Sequence, residues 1–247
     1  MPKYLNVFNT LAEYQAFSAS TEYVQPNVAL VKETNVLYYD YGDNKPHLNY
    51  TDFKVSSRSL VSDGGNTYGR NEKLCLNYIP SGVTSLVHAF SNWSSLGEVT
   101  CKIPDSVTNM NNTFYGCSRL VTAPEIPDSV TSMINTFQGC SSLVTAPEIP
   151  SGVTSMSCTF NGCSSLVTAP EIPSGVTDMY GAFGGCSSLK EVTFLHTTPP
   201  SYNNTLSSCS SLESIYVPDE SVNAYKTATG WSAFASKIKP LSKKPSE

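Results

Sequence analysis

Apolar residues in this chain recur with a period of about 23 residues, much longer than the period of a single helix or strand. The dipeptide Ile-Pro, followed by Val-Thr, starts at Ile79, Ile103, Ile126, Ile149 and Ile172. A cysteine keeps the same interval, at Cys117, Cys140, Cys163, Cys186 and Cys209. Self-similarity at one fixed length predicts a solenoid, in which each repeat is one coil stacked on its neighbours.

Within each coil the same six positions stay apolar, which predicts the side chains that face the interior. In the coil from Cys140 to Gly162 they are Cys140, Leu143, Ile149, Val153, Met156 and Phe160. One coil buries too little apolar surface to offset the entropy of ordering its backbone. We therefore expect the coils to fold only as an array.

Proline and glycine predict the corners of each coil. The proline of Ile-Pro fits the second position of a type I turn. The glycines before the cysteines are expected at positive φ: Gly116, Gly139, Gly162 and Gly185. Two short extended segments remain per coil, around Leu-Val-Thr and around Val-Thr-x-Met. The first is expected to break at Pro124, Pro147 and Pro170, since proline removes a ladder donor.

The cysteines that mark the repeat are expected to be buried free thiols. Equivalent positions in adjacent coils lie close enough for a disulfide, but parallel in-register side chains rarely present the required dihedral. Cys158 and Cys163 are the pair best placed to be an exception. No zinc site is expected, because His47, His88 and His196 are scattered along the chain.

The spaced motif CSSL…IP…VT.M…F.GC resembles the BspA-type leucine-rich repeats, whose unit has 23 residues. The resemblance covers about residues 75–241 and implies a right-handed solenoid with a binding or adhesive role. The stretch SSLESIYVPDESVNAYKTATGWSAFASKIKPL resembles the terminal cap of such arrays, with a last strand, a short helix and a Gly-Trp turn. Asp219 is expected to cap the helix and Gly230 to end it.

The first 43 residues predict a small α+β module. Residues 4–8 read as a strand, and the Thr10–Glu13 capping box opens a helix to about Ala19. Two apolar runs joined at 33–35 predict a β-hairpin. This opening resembles N-terminal modules of structural proteins of phages that infect Bacteroidales, and the resemblance implies a docking role on a virion.

The predicted fold is therefore mainly β, a right-handed leucine-rich-repeat solenoid with an α+β module at one end and a short helical cap at the other. The predicted domains are a β-α-β-β docking module, a polar connector with room for a strand or two, the solenoid, and the cap with its tail. They span residues 1–43, 44–74, 75–217 and 218–247.

Charge excludes some partners. The chain has 247 residues and a net charge of −5, and from Ile79 to Leu195 three basic residues face eight acidic ones. Such a surface would repel phosphate, so no nucleic acid is expected. No apolar run is long enough for a membrane span. The start of the chain lacks the layout of a secretory signal, which favours synthesis and retention in a cytoplasm unless a signal has been removed.

Candidate binding residues come from two patterns. Three glutamates share one register, Glu125, Glu148 and Glu171, either as a polar-ligand stripe or as a solvated edge. Interior positions must repeat while outward ones are free to differ, so positions that vary between coils indicate exposure. Those chosen are His88, Asn112, Asn135, Tyr180, Tyr115, Gln138 and Asn161. Trp93, where later coils have cysteine, is interpreted as an end filler, and His196 as structural.

The sequence contains no nucleophile elbow, zinc-protease motif, phosphate loop or dinucleotide fingerprint. No enzyme activity, cofactor or metal is therefore expected. The first hypothesis is a phage virion fibre or decoration protein. Its N-terminal module would bind a virion or other structural protein, and its repeats a host or mucosal surface protein or glycan, with homo-oligomerisation left open. The alternative is a bacterial cell-surface adhesin of the BspA-like type, and a weaker one is an intracellular scaffold.

Overall fold

The computed structural model describes residues 5–8, 27–31, 36–40, 54–56, 74–79 and 83–245. Within these residues the chain is built mostly from short strands in parallel ladders, with few helices. The helix predicted from Thr10 to Ala19 lies outside the described residues.

The N-terminal part forms a six-stranded sheet whose strands are adjacent in chain order. Its members are β1 (Leu5–Phe8), β2 (Asn27–Val31), β3 (Val36–Asp40), β4 (Lys54–Ser56), β5 (Leu74–Tyr78) and β6 (Leu96–Val99). β1 runs parallel to β2, and β2 and β3 pair antiparallel as the hairpin pattern predicted. β5 pairs in parallel with β6, the main strand of the first coil, so the sheet continues into the array.

A second sheet lies at the C-terminal end and is parallel throughout. It consists of β7 (Thr168–Ile172), β8 (Glu191–Phe194), β9 (Ser214–Val217) and β10 (Ile238–Pro240). In the two coils before β7 only single bridges remain, which join Thr122 to Thr145 and Thr145 to Thr168. The β7–β8 register shifts between Thr168 and Glu171, on either side of Pro170. The predicted break is confirmed at Pro124 and Pro147, which lie outside any strand, but it was wrong at Pro170, where β7 continues through the proline with a shifted register.

A second ladder runs along the Val-Thr-x-Met segments. Parallel bridges join Ser85, Asn109, Ser132, Ser155 and Asp178 in order. A proline turn separates the two ladders in each coil, closed where the Val130 amide donates to the Pro127 carbonyl at 3.0 Å. Each coil therefore contributes one short extended segment to each ladder, as the sequence predicted.

The core is a set of columns, each made of the same position in successive coils. In the coil from Cys140 to Gly162 all six positions predicted to face the interior are buried, with Ile149 the most exposed at 7%, while its counterpart Ile126 is only partly buried. The phenylalanines form a continuous stack along the array. Neighbouring ring centroids are 5.4–5.6 Å apart in the chain Phe90, Phe114, Phe137, Phe160 and Phe183. Like side chains in register thus define the spacing of the coils.

The repeat-marking cysteines line the same core as free thiols, as predicted. Each Sγ donates to a phenylalanine carbonyl of the preceding coil, as from Cys140 to Phe114 at 3.2 Å. Burial raises the pKa of Cys140 to about 12 and that of Cys209 to about 11. Cys158 is only half-buried and is also free, so the suspected Cys158–Cys163 bond is absent.

The C-terminal segment contains the helix α1 (Val222–Thr227) between 3-10 turns at Asp219–Ser221 and Trp231–Phe234. Two predictions here were wrong. Asp219 does not cap α1, because its carboxylate accepts from the Ser242 amide at 3.0 Å. Gly230 does not end α1 either. It lies beyond the end of the helix at φ 79°, where a Cβ would come within 2.6 Å of the Tyr202 ring.

Candidate functional site

The candidate residues divide between the two ladders. Glu125, Glu148 and Glu171 are exposed beside the Leu-Val-Thr ladder. The other seven follow the Val-Thr-x-Met ladder, on the turn that leads to the phenylalanine and beyond it. The proline turn lies between the two sets, so the structure does not gather the ten residues into one site.

Backbone geometry explains part of the variable set. His88, Asn112 and Asn135 have φ of 57°, 56° and 55°, and the later members of this column are also left-handed. Asparagine and glycine adopt this conformation at the lowest cost. The residues at this column are His, Asn, Asn, Cys, Gly and Asn in successive coils. This series indicates a left-handed turn before it indicates anything about binding. The interpretation that variation here simply marks exposure was incomplete. The frequent asparagine and glycine at this column could have predicted the left-handed turn from the sequence.

Several amides in this set bond within the array. Asn135 Nδ2 donates to Asn112 Oδ1 of the preceding coil at 3.1 Å. Asn161 Nδ2 donates to the Gly181 carbonyl at 3.2 Å. A Cβ on Gly184 would lie 2.5 Å from that Nδ2, so the small residue makes room for the amide. These groups link neighbouring coils and leave fewer donors for a partner.

Tyr180 is the most prominent side chain of the variable set, with 53% of its surface exposed. Its backbone amide donates to Asp178 Oδ1 at 3.2 Å, which fixes the chain beneath the ring. Tyr115 and Gln138 are half-buried at the adjoining column. Burial lowers the pKa of His88 at the start of this surface. The surface can therefore offer an aromatic ring and amide groups to a macromolecule.

Two further polar features join the coils, a link through Asn111 and a column of buried threonines, and neither was predicted from the sequence. Asn111 Oδ1 accepts from Ser132 Oγ at 2.7 Å and from the Ile134 amide at 2.9 Å. Buried threonine hydroxyls donate to methionine carbonyls, as from Thr136 to Met110 at 2.9 Å. The threonine before Phe114, Phe137 and Phe160, replaced by alanine at Ala89 and Ala182, was the available signal for the buried hydroxyls.

The glutamate column has lysines at both ends. Lys244 Nζ lies 3.1 Å from Glu171 Oε1, and the glutamate side chain remains 52% exposed. At the other end of the column, Lys102 Nζ lies 2.8 Å from Asp105 Oδ2. This contact is the main cause that raises the pKa of Lys102, and the charge of Glu125 adds a smaller contribution. Glu148 lies between them.

Exposed valine and threonine columns run beside the glutamates. The octapeptide LVTAPEIP occurs three times without change, at 120–127, 143–150 and 166–173. Its outward residues include Val144 and Val167, which are 45% and 37% exposed. Thr122, Thr145 and Thr168 are exposed next to them. We call these valine, threonine and glutamate columns the repeated surface.

Trp93 and His196 are core residues, as interpreted from the sequence. Trp93 is 8% exposed and meets Phe90 edge-on at a centroid distance of 5.1 Å. His196 Nε2 lies 2.7 Å from the Val176 carbonyl oxygen. Across residues 83–245 and the other described segments, no group of three or more His, Cys, Asp or Glu side chains could hold a metal. None of the helices in the same segments is long and apolar enough to cross a membrane.

Similar coils of 23 residues, in-register columns and long exposed rows of like residues define a solenoid repeat protein. A family model described as the BspA type leucine rich repeat region matches residues 66–180 and 157–238, in six copies. Because these matches cover most of the sequence, the chain belongs to this family. The match begins upstream of residue 75, where the solenoid was predicted to start.

Two solved structures are similar to the chain. One is a leucine-rich repeat protein from Bacteroides ovatus, with 28% identity and a TM-score of 0.45, covering 62% of this chain. The other is a leucine rich cell surface protein from Faecalibacterium prausnitzii, with 22% identity and a TM-score of 0.39, covering 83% of this chain. In each case the match covers 45% of the other chain's length. No curated protein matches.

Proposed function

We propose that this chain is a non-enzymatic adhesive protein, which binds a macromolecule through a right-handed solenoid. The observation that carries the proposal is the array itself, with rows of exposed side chains at one-coil spacing and a core filled by buried columns. Such a surface is extended along the array and suits a protein or glycan chain. Membership in the BspA-type family is consistent with this function.

The finer proposal is a phage virion fibre or decoration protein, with the N-terminal segment bound to the particle. In its support, the N-terminal strands extend the sheet without repeating the coil. Among the described residues a single registered pair, Val36 with Lys54, joins β3 to β4, whereas five pairs join β2 to β3. A unit that ends near residue 43 would therefore separate from the array at the ladder with the fewest registered pairs among the described strands.

Deletion of residues 1–43 tests this proposal. The full chain and the deletion variant are produced in cells that are making phage particles, and purified particles are probed for each protein. We expect the deletion variant to keep its unfolding transition but to be missing from particles. Equal incorporation of the two proteins would refute the docking role.

The alternative is a bacterial cell-surface adhesin, and the family match is consistent with it. Cell fractionation distinguishes the virion protein from the adhesin, because an adhesin would be found in the envelope of uninfected cells.

Adhesion itself is tested with the variant Tyr180→Ala in the array. We expect weaker retention on host cells or mucin than for the control Glu220→Ala, which alters an exposed residue of the C-terminal segment. Equal retention would exclude Tyr180 from the contact.

A further inference from the structure

The repeated surface is one of the parts of the exterior that recur from coil to coil. LVTAPEIP is identical in three coils, whereas the residues at 111, 134, 157 and 180 are Asn, Ile, Ser and Tyr. The exposed threonines of the Val-Thr pairs recur as well, at Thr108, Thr131, Thr154 and Thr177. The outward valine, threonine and glutamate columns therefore offer the same groups at each step of the array. Val144 and Val167 place exposed apolar groups in water, which a partner would cover.

The chain covers one end of this surface with its own C-terminal segment. Glu171 is in register with Thr193 on β8, which is in register with Tyr216 on β9 and Lys239 on β10. These residues share one face of the sheet, since register partners in a parallel sheet point the same way. Thr193 and Tyr216 are nevertheless buried, at 2% and 4% exposure. The buried part of this face is limited to β8 and β9, because Glu171 on β7 and Lys239 on β10 are both exposed.

The C-terminal segment leads from β10 back toward β7. After β10 it makes a 3-10 turn at Leu241–Lys243, where the Ser242 amide donates to Asp219. It then extends at Lys244, with φ −66° and ψ 127°. Lys244 Nζ reaches Glu171 on β7, so the segment crosses β9 and β8. One extended residue of the chain's own C-terminal segment, Lys244, thus already pairs with the last carboxylate of the glutamate column.

We propose that an extended polypeptide segment of a partner, carrying lysine or arginine, binds along the repeated surface. Its cations lie on Glu125 and Glu148, as Lys244 lies on Glu171, and its apolar groups cover Val144 and Val167. Charge complementarity favours a basic partner, because the surface carries a row of carboxylates. The chain's own Lys244 ammonium already pairs with one of them, Glu171. The inference rests on the proposed adhesive function and names the partner's chemistry.

The probe is a blocked, fluorescent peptide of alternating lysine and threonine, seven residues long, with a glutamate–threonine peptide as its control. Binding is measured by fluorescence anisotropy at low salt and again near physiological salt. We expect the lysine peptide alone to bind, more weakly at the higher salt. Glu148→Gln should weaken binding at least about two-fold, the range of an exposed ion pair. Lys244→Gln should strengthen binding, because it releases Glu171.

Glu220→Gln is the matched control, since it makes the same charge change on the C-terminal segment and should leave the affinity unchanged. Equal affinities for Glu148→Gln and Glu220→Gln would overturn the proposal, as would binding of the acidic peptide or no binding at millimolar concentration. If the chain self-associates and Glu148→Gln abolishes that association, the partner on the repeated surface would instead be a second copy of this chain. None of these assays uses particles or host cells, so their failure is distinct from failure of the proposed function.

Discussion

Gly139 and Gly152 give a matched test of the corner geometry, because the same substitution is expected to act in opposite directions. Gly139 has φ of 75°, and a Cβ there would lie 3.6 Å from the Gly116 Cα, an ordinary contact. The cost of Gly139→Ala is therefore conformational, about 1–2 kcal/mol for a left-handed residue. Gly152 is not at positive φ, and its nearest atom would be 3.7 Å away. Gly152→Ala should stabilise the chain by about 0.4–1 kcal/mol.

Thermal unfolding measures both changes. At about 2–4 °C per kcal/mol for a chain of this size, Gly139→Ala should lower Tm by about 2–8 °C, and Gly152→Ala should raise it slightly. Gly139→Asn should recover part of the loss, since asparagine tolerates the left-handed region better than alanine. Equal shifts for the two alanine variants would refute the assignment of Gly139 to a left-handed corner.

Three further predictions concern the columns. Phe160→Ala should lower the free energy of unfolding by about 3–5 kcal/mol in urea, because it removes a stacked core ring; a loss below about 1 kcal/mol would mean that the coil is inside out. Cys158→Asn should raise Tm relative to Cys158→Ser, since asparagine suits φ of 51° and can extend the amide ladder from Asn135; no difference would reject that ladder. Burial raises the pKa of Cys140 to about 12, so the folded state holds its proton more tightly than the unfolded state. This contribution is complete below the unfolded pKa of about 9 and is lost as pH rises toward 12, so stability should fall above pH 9; a flat profile would contradict it.

Repetition made the interior predictable. A side chain that returns at every coil must fill the same place, which identified the Phe160 and Cys140 columns without any coordinates. The positive φ of Gly139 followed from the same logic, because glycine recurred where a corner was needed. Pro147 indicated the interrupted strand because it lacks a ladder donor.

Other features depend on geometry that one coil does not reveal. The residue types at Asn112 and Asn135 are ones that favour a left-handed turn. Because this position varies between coils, it was interpreted only as an exposed one. Asp219 was taken for a helix cap because the local pattern fits, whereas its partner Ser242 is 23 positions away. The Lys244–Glu171 contact spans 73 positions and has no local signal at all.

The register of the coils is tested most directly by the positions of the sulfur atoms in a crystal of this protein, located by their anomalous scattering. The account predicts one row of five sulfurs at one-coil intervals, from Cys117, Cys140, Cys163, Cys186 and Cys209. The phenylalanine rings should stack beside it with centroids 5.4–5.6 Å apart. Sulfurs scattered off a common row would contradict the stacked array and, with it, every surface argued from that array.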